Sequence, residues 1–218
     1  MESQEASIAI VDYGAGNLTS VKNAFAALGV ETVVTRDPAV VAAAARVVFP
    51  GVGAAGSAMR NLGELGLADV LRERIAAGVP FLGICLGTQI LFERSEEDGG
   101  TPCLGILPGA ARRFVPRSRA DKIPEMGWNQ ARIVRPHPLL AGIPDGSDFY
   151  FVHSYYPAPA EPSDIVCTTE YCGAPFASMV GRGSLAATQF HPEKSGRVGL
   201  RLLANFAAWD GRPGAALP

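Results

Sequence analysis

The first half of the chain alternates short apolar runs with helix-like segments, and this order restricts the fold more than any other feature. Strands that alternate with helices form βαβ units, in which neighbouring strands are parallel and helices cover both faces of the sheet. We expect the side chain of Asn17 to cap the first helix. The predicted strands are Ile8–Val11, Thr32–Thr35, Val47–Phe49 and Phe81–Ile84, and the predicted helices run from Asn17 to about Leu28, from Ala68 to Ala77 and from Leu86 to about Phe92.

After Glu93 the helical pattern gives way to β-branched and aromatic runs, which indicate mixed or antiparallel strands towards the edge of the sheet. The predicted fold is therefore α/β, with an open, mixed, mainly parallel sheet and helices on both faces. We expect one domain over residues 1–218, with frayed tails at 1–7 and 211–218. Further strands are predicted at Phe149–Val152, Ile165–Thr169, Phe176–Val180 and Leu185–Phe190, and a last helix at Val198–Trp209.

Composition excludes several classes of function. Hydrophobic residues make up 48% of the chain and charged residues 18%, which is enough to build a core and argues against disorder. The net charge of -2 and the lack of a long basic run argue against nucleic-acid binding. The polar, acidic N-terminus and the absence of a membrane-length apolar run lead us to expect a soluble, cytoplasmic protein. None of the four cysteines forms a C-x-x-C pair, so a zinc knuckle is not expected.

The most specific local pattern is Gly83-Ile84-Cys85-Leu86-Gly87, at the junction of an apolar strand and a helix. It matches a nucleophile elbow, in which a tight turn exposes the nucleophile and requires small residues two positions before and after it. The positive N-terminal end of the following helix also favours the thiolate form of a cysteine at this position. On this pentapeptide alone, a buried structural cysteine flanked by packing glycines is equally compatible.

A second pattern pairs His191 with Glu193 in the segment from Gln189 to Ser195. On an extended segment, residues two apart leave the same face, so the carboxylate can accept a proton from one imidazole nitrogen and leave the other free. Taken alone, a surface ion pair or part of a metal site would also fit. The metal alternative lacks further ligands, because His137 and His153 form no H-x-x-x-H pair.

A glycine-rich turn, Pro50-Gly51-Val52-Gly53, follows the third strand and could direct backbone N–H groups at an oxyanion. By itself it would be an ordinary turn. However, this turn, Cys85 and His191 all fall at the carboxyl-terminal strand ends or the adjoining edge, where open α/β sheets hold their sites.

Six motifs in order along the chain resemble the class I (triad) glutamine amidotransferases, and within them the glutaminase subunits of imidazole glycerol phosphate synthase. The Gly-Trp-Asn segment and Phe149–Tyr156 indicate that branch. Glu125 departs from the pattern, because a histidine is common there. The motifs are Asp12–Asn17, Pro50–Gly53, Gly83–Gln89, Lys122–Asn129, Phe149–Tyr156 and Gln189–Ser195.

The resemblance implies a role for each matching residue. Cys85 attacks the side-chain amide of glutamine, His191 acts as general base and acid, and Glu193 orients the imidazole. It also implies that the backbone N–H groups of Val52 and Leu86 donate to the oxyanion. It implies no cofactor and no metal. The positions implied to bind substrate are Gly51, Gly53, Gln89, Ser154 and Tyr155. Those implied to face a partner are Asn17, Trp128 and Lys194. We expect Trp128 to lie in a loop.

The same resemblance implies a (β/α)₈-barrel cyclase as the partner, which uses the ammonia in histidine biosynthesis. Three alternatives stay open. One is a glutaminase of the same fold in pyridoxal phosphate, purine or anthranilate synthesis, and another is a cysteine peptidase or γ-glutamyl hydrolase. The third is a non-catalytic regulator, which the intact triad disfavours.

Overall fold

The computed structural model describes residues 8–14, 17–119 and 121–214. The predicted alternation of the first half is confirmed, with strands at nearly the predicted bounds and two additional helices. Its strands are β1 (Ile8–Val11), β2 (Thr32–Thr35), β3 (Arg46–Gly51) and β4 (Phe81–Cys85), and its helices are α1 (Leu18–Ala27), α2 (Pro38–Ala43), α3 (Ala55–Glu64), α4 (Leu67–Ala76) and α5 (Leu86–Gln89).

The second half consists mainly of strands and ends in one long helix. Single 3₁₀ turns lie at Glu97–Gly99, Pro138–Leu140, Pro162–Asp164 and Pro192–Lys194. The strands are β5 (Phe92–Ser95), β6 (Thr101–Pro102), β7 (Leu107–Arg113), β8 (Glu125–Ile133), β9 (Ser147–His153), β10 (Tyr155–Pro159), β11 (Ile165–Tyr171), β12 (Ala174–Arg182) and β13 (Leu185–Thr188), and the helix is α6 (Gly196–Ala208).

The main sheet has nine strands in the order β2-β1-β3-β4-β13-β12-β11-β8-β9. The strands from β2 to β13 in this order pair in parallel, and those from β13 to β9 pair antiparallel, as expected for the second half. A smaller sheet has the order β10-β7-β5-β6. Because β4 and β13 are parallel neighbours, Cys85 at the end of β4 and His191 just after β13 lie at the same edge of the sheet.

The core lies on both faces of the main sheet, which explains why β1 and β4 are apolar throughout. Successive side chains of a strand point to opposite faces, so Ile8 and Ile10 join one hydrophobic cluster while Ala9 and Val11 join the other. Helices cover both faces: the first receives Val21 and Phe25 of α1 with Leu202, Leu203 and Phe206 of α6, and the second receives Leu62 of α3 with Leu67 and Leu71 of α4.

Several local predictions were wrong. The helix predicted to reach Phe92 ends at Gln89, because the chain turns there to begin β5 in the smaller sheet. Asn17 occupies the N-cap position of α1, but its side chain makes no capping hydrogen bond. The segment around Trp128, predicted as a loop, belongs to β8 and pairs with β9.

The predicted tails fall largely on residues 1–7 and 215–218, which lie outside the described residues, as do residues 15 and 16 of the first motif. In the described part of the second tail, the indole Nε1 of Trp209 donates to the carbonyl of Arg212 at 2.8 Å. Among the helices that the structure describes, none is long and apolar enough to cross a membrane.

Candidate active site

The chain turns sharply at Cys85, which ends β4 directly before α5 begins at Leu86. Its φ of 56° and ψ of -111° are unusual for a residue with a side chain. A Cβ atom added to Gly87 would lie 2.0 Å from the carbonyl oxygen of Phe49, and one added to Gly83 would lie 3.0 Å from that of Gly87. The elbow geometry therefore excludes a side chain at position 87 and leaves only a tight fit for one at position 83, which agrees with the predicted size restriction.

His191 and Glu193 form a buried pair at the end of the neighbouring strand. The Nδ1 atom of His191 lies 2.8 Å from Oε1 of Glu193. This segment was predicted to be extended throughout, but Pro192–Lys194 forms a 3₁₀ turn. The hydroxyl of Ser195 donates to the carbonyl of His191 at 2.6 Å and accepts from the backbone N–H of Tyr150 at 3.0 Å. These bonds fix the backbone that carries the imidazole.

The second imidazole nitrogen, Nε2 of His191, is buried without a hydrogen-bond partner among the described residues. Burial disfavours the charged imidazolium, but the neighbouring Cys85 and Glu193, as anions, favour it more strongly. Together they raise the pKa of His191 from 6.5 to about 10. The arrangement therefore favours a proton on the imidazole of His191.

Cys85 and His191 open into one cleft of about 300 Å³, which we call the active-site cleft. The sequence predicted eight of its lining residues, and missed Glu97, Val152 and His153. Gly51 does not line it, but pairs with Cys85 across β3 and β4 and so brings the glycine-rich turn beside the nucleophile. The predicted lining residues are Val52, Gly53, Cys85, Leu86, Gln89, Ser154, Tyr155 and His191.

The chain holds a second buried histidine–carboxylate pair on the wall of this cleft. Nδ1 of His153 lies 2.8 Å from the carbonyl oxygen of Tyr155, and Nε2 lies 3.2 Å from Oε2 of Glu125. The Nε2 contact is an ion-pair distance without the geometry of a hydrogen bond, since both atoms lack a hydrogen-bond partner in the described part of the chain. The other oxygen of Glu125 accepts from Nδ2 of Asn129 at 2.8 Å.

The residues implied to face a partner lie outside the cleft. Trp128 is 59% exposed and its neighbour on the same face of β8, Met126, is 66% exposed. The ring of Tyr150 lies 6.1 Å from that of Trp128 and 5.8 Å from Nζ of Lys194. We call Met126, Trp128, Tyr150 and Lys194 the docking face. Asn17 immediately precedes α1, which contacts the turn that carries Lys194.

Residues 9–208 match the family described as "Glutamine amidotransferase class-I". The fold agrees with solved structures of low identity. One, described as a glutamine amidotransferase, has a TM-score of 0.70 at 20% identity, and covers 91% of this chain and 96% of its own. Another, PurLQS from Thermotoga maritima, has a TM-score of 0.71 at 16% identity, covering 93% and 97%.

Curated relatives narrow the class. The imidazole glycerol phosphate synthase subunit HisH of Chloroflexus aurantiacus is 53% identical over 206 residues, covering 93% of this chain and 96% of the relative. The subunit of that name from Methylococcus capsulatus is 53% identical over 212 residues, covering 94% and 97%. The chain therefore belongs to the class-I glutamine amidotransferases and, within them, to the family of these HisH subunits.

Proposed function

We propose that this chain is the glutaminase subunit of an imidazole glycerol phosphate synthase and hydrolyses glutamine to glutamate and ammonia. The observation that carries the proposal is the buried His191–Glu193 pair, whose free Nε2 opens into the same cleft as the strained Cys85. A thiol, a histidine with one unpaired nitrogen and a carboxylate that orients the ring are the components of a nucleophilic triad.

The reaction follows from where the protons can go. Nε2 of His191 takes the proton of Cys85, and the thiolate sulfur forms a bond to the carboxamide carbon of glutamine. The N–H groups of Val52 and Leu86 stabilise the oxyanion. As the C–N bond breaks, His191 returns its proton to the departing nitrogen, so ammonia leaves and a thioester remains. Water, deprotonated by His191, then attacks the thioester and releases glutamate with the thiol restored.

Substrate recognition requires groups for the α-carboxylate and the α-ammonium of glutamine. Gly53, Gln89, Ser154 and Tyr155 line the cleft and supply the polar groups for the amino-acid end. Glu97 is the one acidic residue among the described lining residues, and its Oε2 accepts from the backbone N–H of Ala55 at 2.6 Å. We assign the α-ammonium to this carboxylate, because an ammonium group needs a fixed anion in a confined site.

The relatives' name describes a subunit, which supports an acceptor for the ammonia on another chain. We propose a (β/α)₈-barrel cyclase as partner, which joins the ammonia to a phosphoribosyl-carboxamide nucleotide in the cytoplasm. The products are imidazole glycerol phosphate and aminoimidazole carboxamide ribotide. The docking face supports this assembly, because exposed aromatic residues with a basic neighbour are typical of the energetic centre of an interface.

The direct test measures glutamate release from glutamine by the chain alone, and then with the barrel cyclase and its nucleotide ligand. We expect strong stimulation that Cys85→Ala abolishes and that Cys103→Ala, which changes a thiol outside the cleft, leaves intact. Trp128→Ala should weaken stimulation at low cyclase concentration. Release that the cyclase does not affect would point to another partner, and release that persists in Cys85→Ala would refute the mechanism.

A further inference from the structure

Gln189 is a buried amide beside the nucleophile that has no role in the reaction described above. It follows β13 and precedes His191 by two residues, and its side chain is completely inaccessible to solvent. Its backbone N–H donates to the carbonyl of Ser178 at 2.8 Å, which fixes the residue against β12. A buried side-chain amide needs partners for its oxygen and its nitrogen, so the identity of those partners indicates what it does.

The surrounding hydrogen bonds determine which way this amide points. Nε2 of Gln89 lies 2.8 Å from the carbonyl oxygen of Tyr155, which can only accept, so the amide nitrogen of Gln89 is on that side. The same nitrogen lies 3.0 Å from Gln189, and the atom that faces it must therefore be the acceptor Oε1. This leaves the Nε2 group of Gln189 on the other side, 3.5 Å from the Sγ atom of Cys85.

We propose that Gln189 is a catalytic residue, whose amide N–H donates to the sulfur of Cys85 and stabilises the thiolate before it attacks the amide. This inference rests on the proposed function, since it requires Cys85 as the nucleophile. Gln189 transfers no proton: His191 takes the proton of the thiol, and the amide holds the negative charge that remains on sulfur. Because an amide does not titrate, this donor is present at every pH at which the chain is folded.

The burial of the contact makes the donor effective. Hydrogen bonds to charged acceptors are about twice as strong as neutral ones, and water cannot replace a donor at a site that it does not reach. The chain of bonds from Tyr155 through Gln89 and Gln189 to Cys85 also links the substrate-binding wall to the nucleophile. Loss of the amide should therefore lower the reactivity of the sulfur without removing the elbow.

The test follows the rate at which iodoacetamide alkylates Cys85 in the full chain between pH 5 and 10, by mass spectrometry of the peptide that contains it. Gln189→Met keeps the length of the side chain but removes the donor, and Gln189→Glu keeps its shape but adds an acceptor. We expect both to slow alkylation at neutral pH by about tenfold or more and to raise the pH at which the rate is half-maximal by about one unit.

The matched control is Ser178→Ala, which removes a buried hydroxyl next to Gln189 that has no hydrogen-bond partner in the described structure. It should alkylate as the wild-type chain does, and a general loosening of this region would instead affect all three variants. A folded Gln189 variant with the wild-type rate and pH profile would overturn the inference. If alkylation of Cys85 in the wild type left glutamine hydrolysis intact, the proposed nucleophile itself would be wrong.

Discussion

Two histidines that each pair with a buried glutamate line the same cleft, and the two pairs differ in what the second ring nitrogen faces. In the pair of His191 and Glu193, one nitrogen binds the carboxylate and the other is free towards Cys85. In the pair of His153 and Glu125, the ring contacts the carbonyl of Tyr155 with one nitrogen and the carboxylate with the other. Neither Nε2 has a hydrogen-bond partner in the described part of the chain, but that of His191 faces Cys85 and that of His153 faces a carboxylate.

The second pair instead fixes the cleft wall. A carbonyl only accepts, so Nδ1 of His153 carries a proton, and Nε2 then faces an oxygen of Glu125. Glu125 and His153 are register partners on β8 and β9, and their pair holds the segment that leads to Ser154 and Tyr155. The comparison leads us to expect that a buried histidine–carboxylate pair serves catalysis where its second nitrogen faces a nucleophile, and holds structure where that nitrogen faces the carboxylate.

The largest difference should come from removing each histidine. His191→Asn should lower kcat for glutamine hydrolysis on the order of 10³-fold, because it removes the general base and acid. His153→Asn should leave kcat within about tenfold and act mainly by raising KM, since it loosens the wall that contacts substrate. Steady-state kinetics with the proposed cyclase partner present measures both. Equal losses of kcat would contradict the distinction between the two pairs.

Substitution of the two glutamates should follow the same order, with the larger loss of kcat at Glu193. Glu193→Gln should lower kcat on the order of 10²-fold, because an amide holds the imidazole less well in the required tautomer and no longer stabilises its positive charge. The matched variant Glu125→Gln should retain kcat within a few-fold. The same kinetic assay decides, and a larger effect at Glu125 would reverse the assignment.

The contact between the first pair and Cys85 can be tested without measuring catalysis, by titrating His191. The pKa of His191 is raised to about 10, with burial acting against the increase and the sulfur of Cys85 as its largest cause. In Cys85→Ala that anion is absent, so the charged imidazolium loses support while burial still disfavours it, and the pKa of His191 should fall. NMR titration of the histidine ring measures this change. An unchanged value would show that the sulfur does not interact with this ring.

The smallest effect on activity is expected from variants of Glu125 in the second pair, which should act on stability instead. Glu125→Leu leaves His153 without its carboxylate and should lower the free energy of unfolding by about 3–5 kcal/mol. Glu125→Gln should cost less, because its amide N–H can donate to Nε2 of His153. Denaturant unfolding compares the two variants. Equal costs for the two variants would show that the pair contributes little beyond packing.

The first pair was predictable from the sequence, and the second was not. His191 and Glu193 are only two residues apart in the sequence. Their partner Cys85 is also recognisable locally, because a glycine lies two positions before it and another two positions after it. Glu125 and His153 meet only because β8 and β9 pair, and the segment that directly follows Glu125, Met126–Asn129, was predicted as a loop. Glu97 and Gln189 were missed for the same reason, since nothing local indicates which side chains a tertiary contact will bring to the cleft.

The fold followed a similar division. The parallel strands β1, β3 and β4 were predicted because both of their faces are buried and their sequences are mainly apolar. Helix α2 was missed although Asp37 accepts from the N–H of Ala39 at 2.8 Å and Pro38 is the first helical residue, both recognisable start signals. The smaller sheet could not be predicted, because β5 and β7 pair across intervening chain and their sequences show little alternation.

The turn at Cys85 also has a consequence for how this chain can evolve. A residue with a side chain is held there at a positive φ, which costs on the order of 1 kcal/mol or more that glycine would not incur. Selection for stability alone would therefore favour glycine at this position and remove the sulfur in the same step. A cysteine that persists there records continued selection for chemistry, and a descendant freed from that selection would lose its nucleophile early, by becoming more stable.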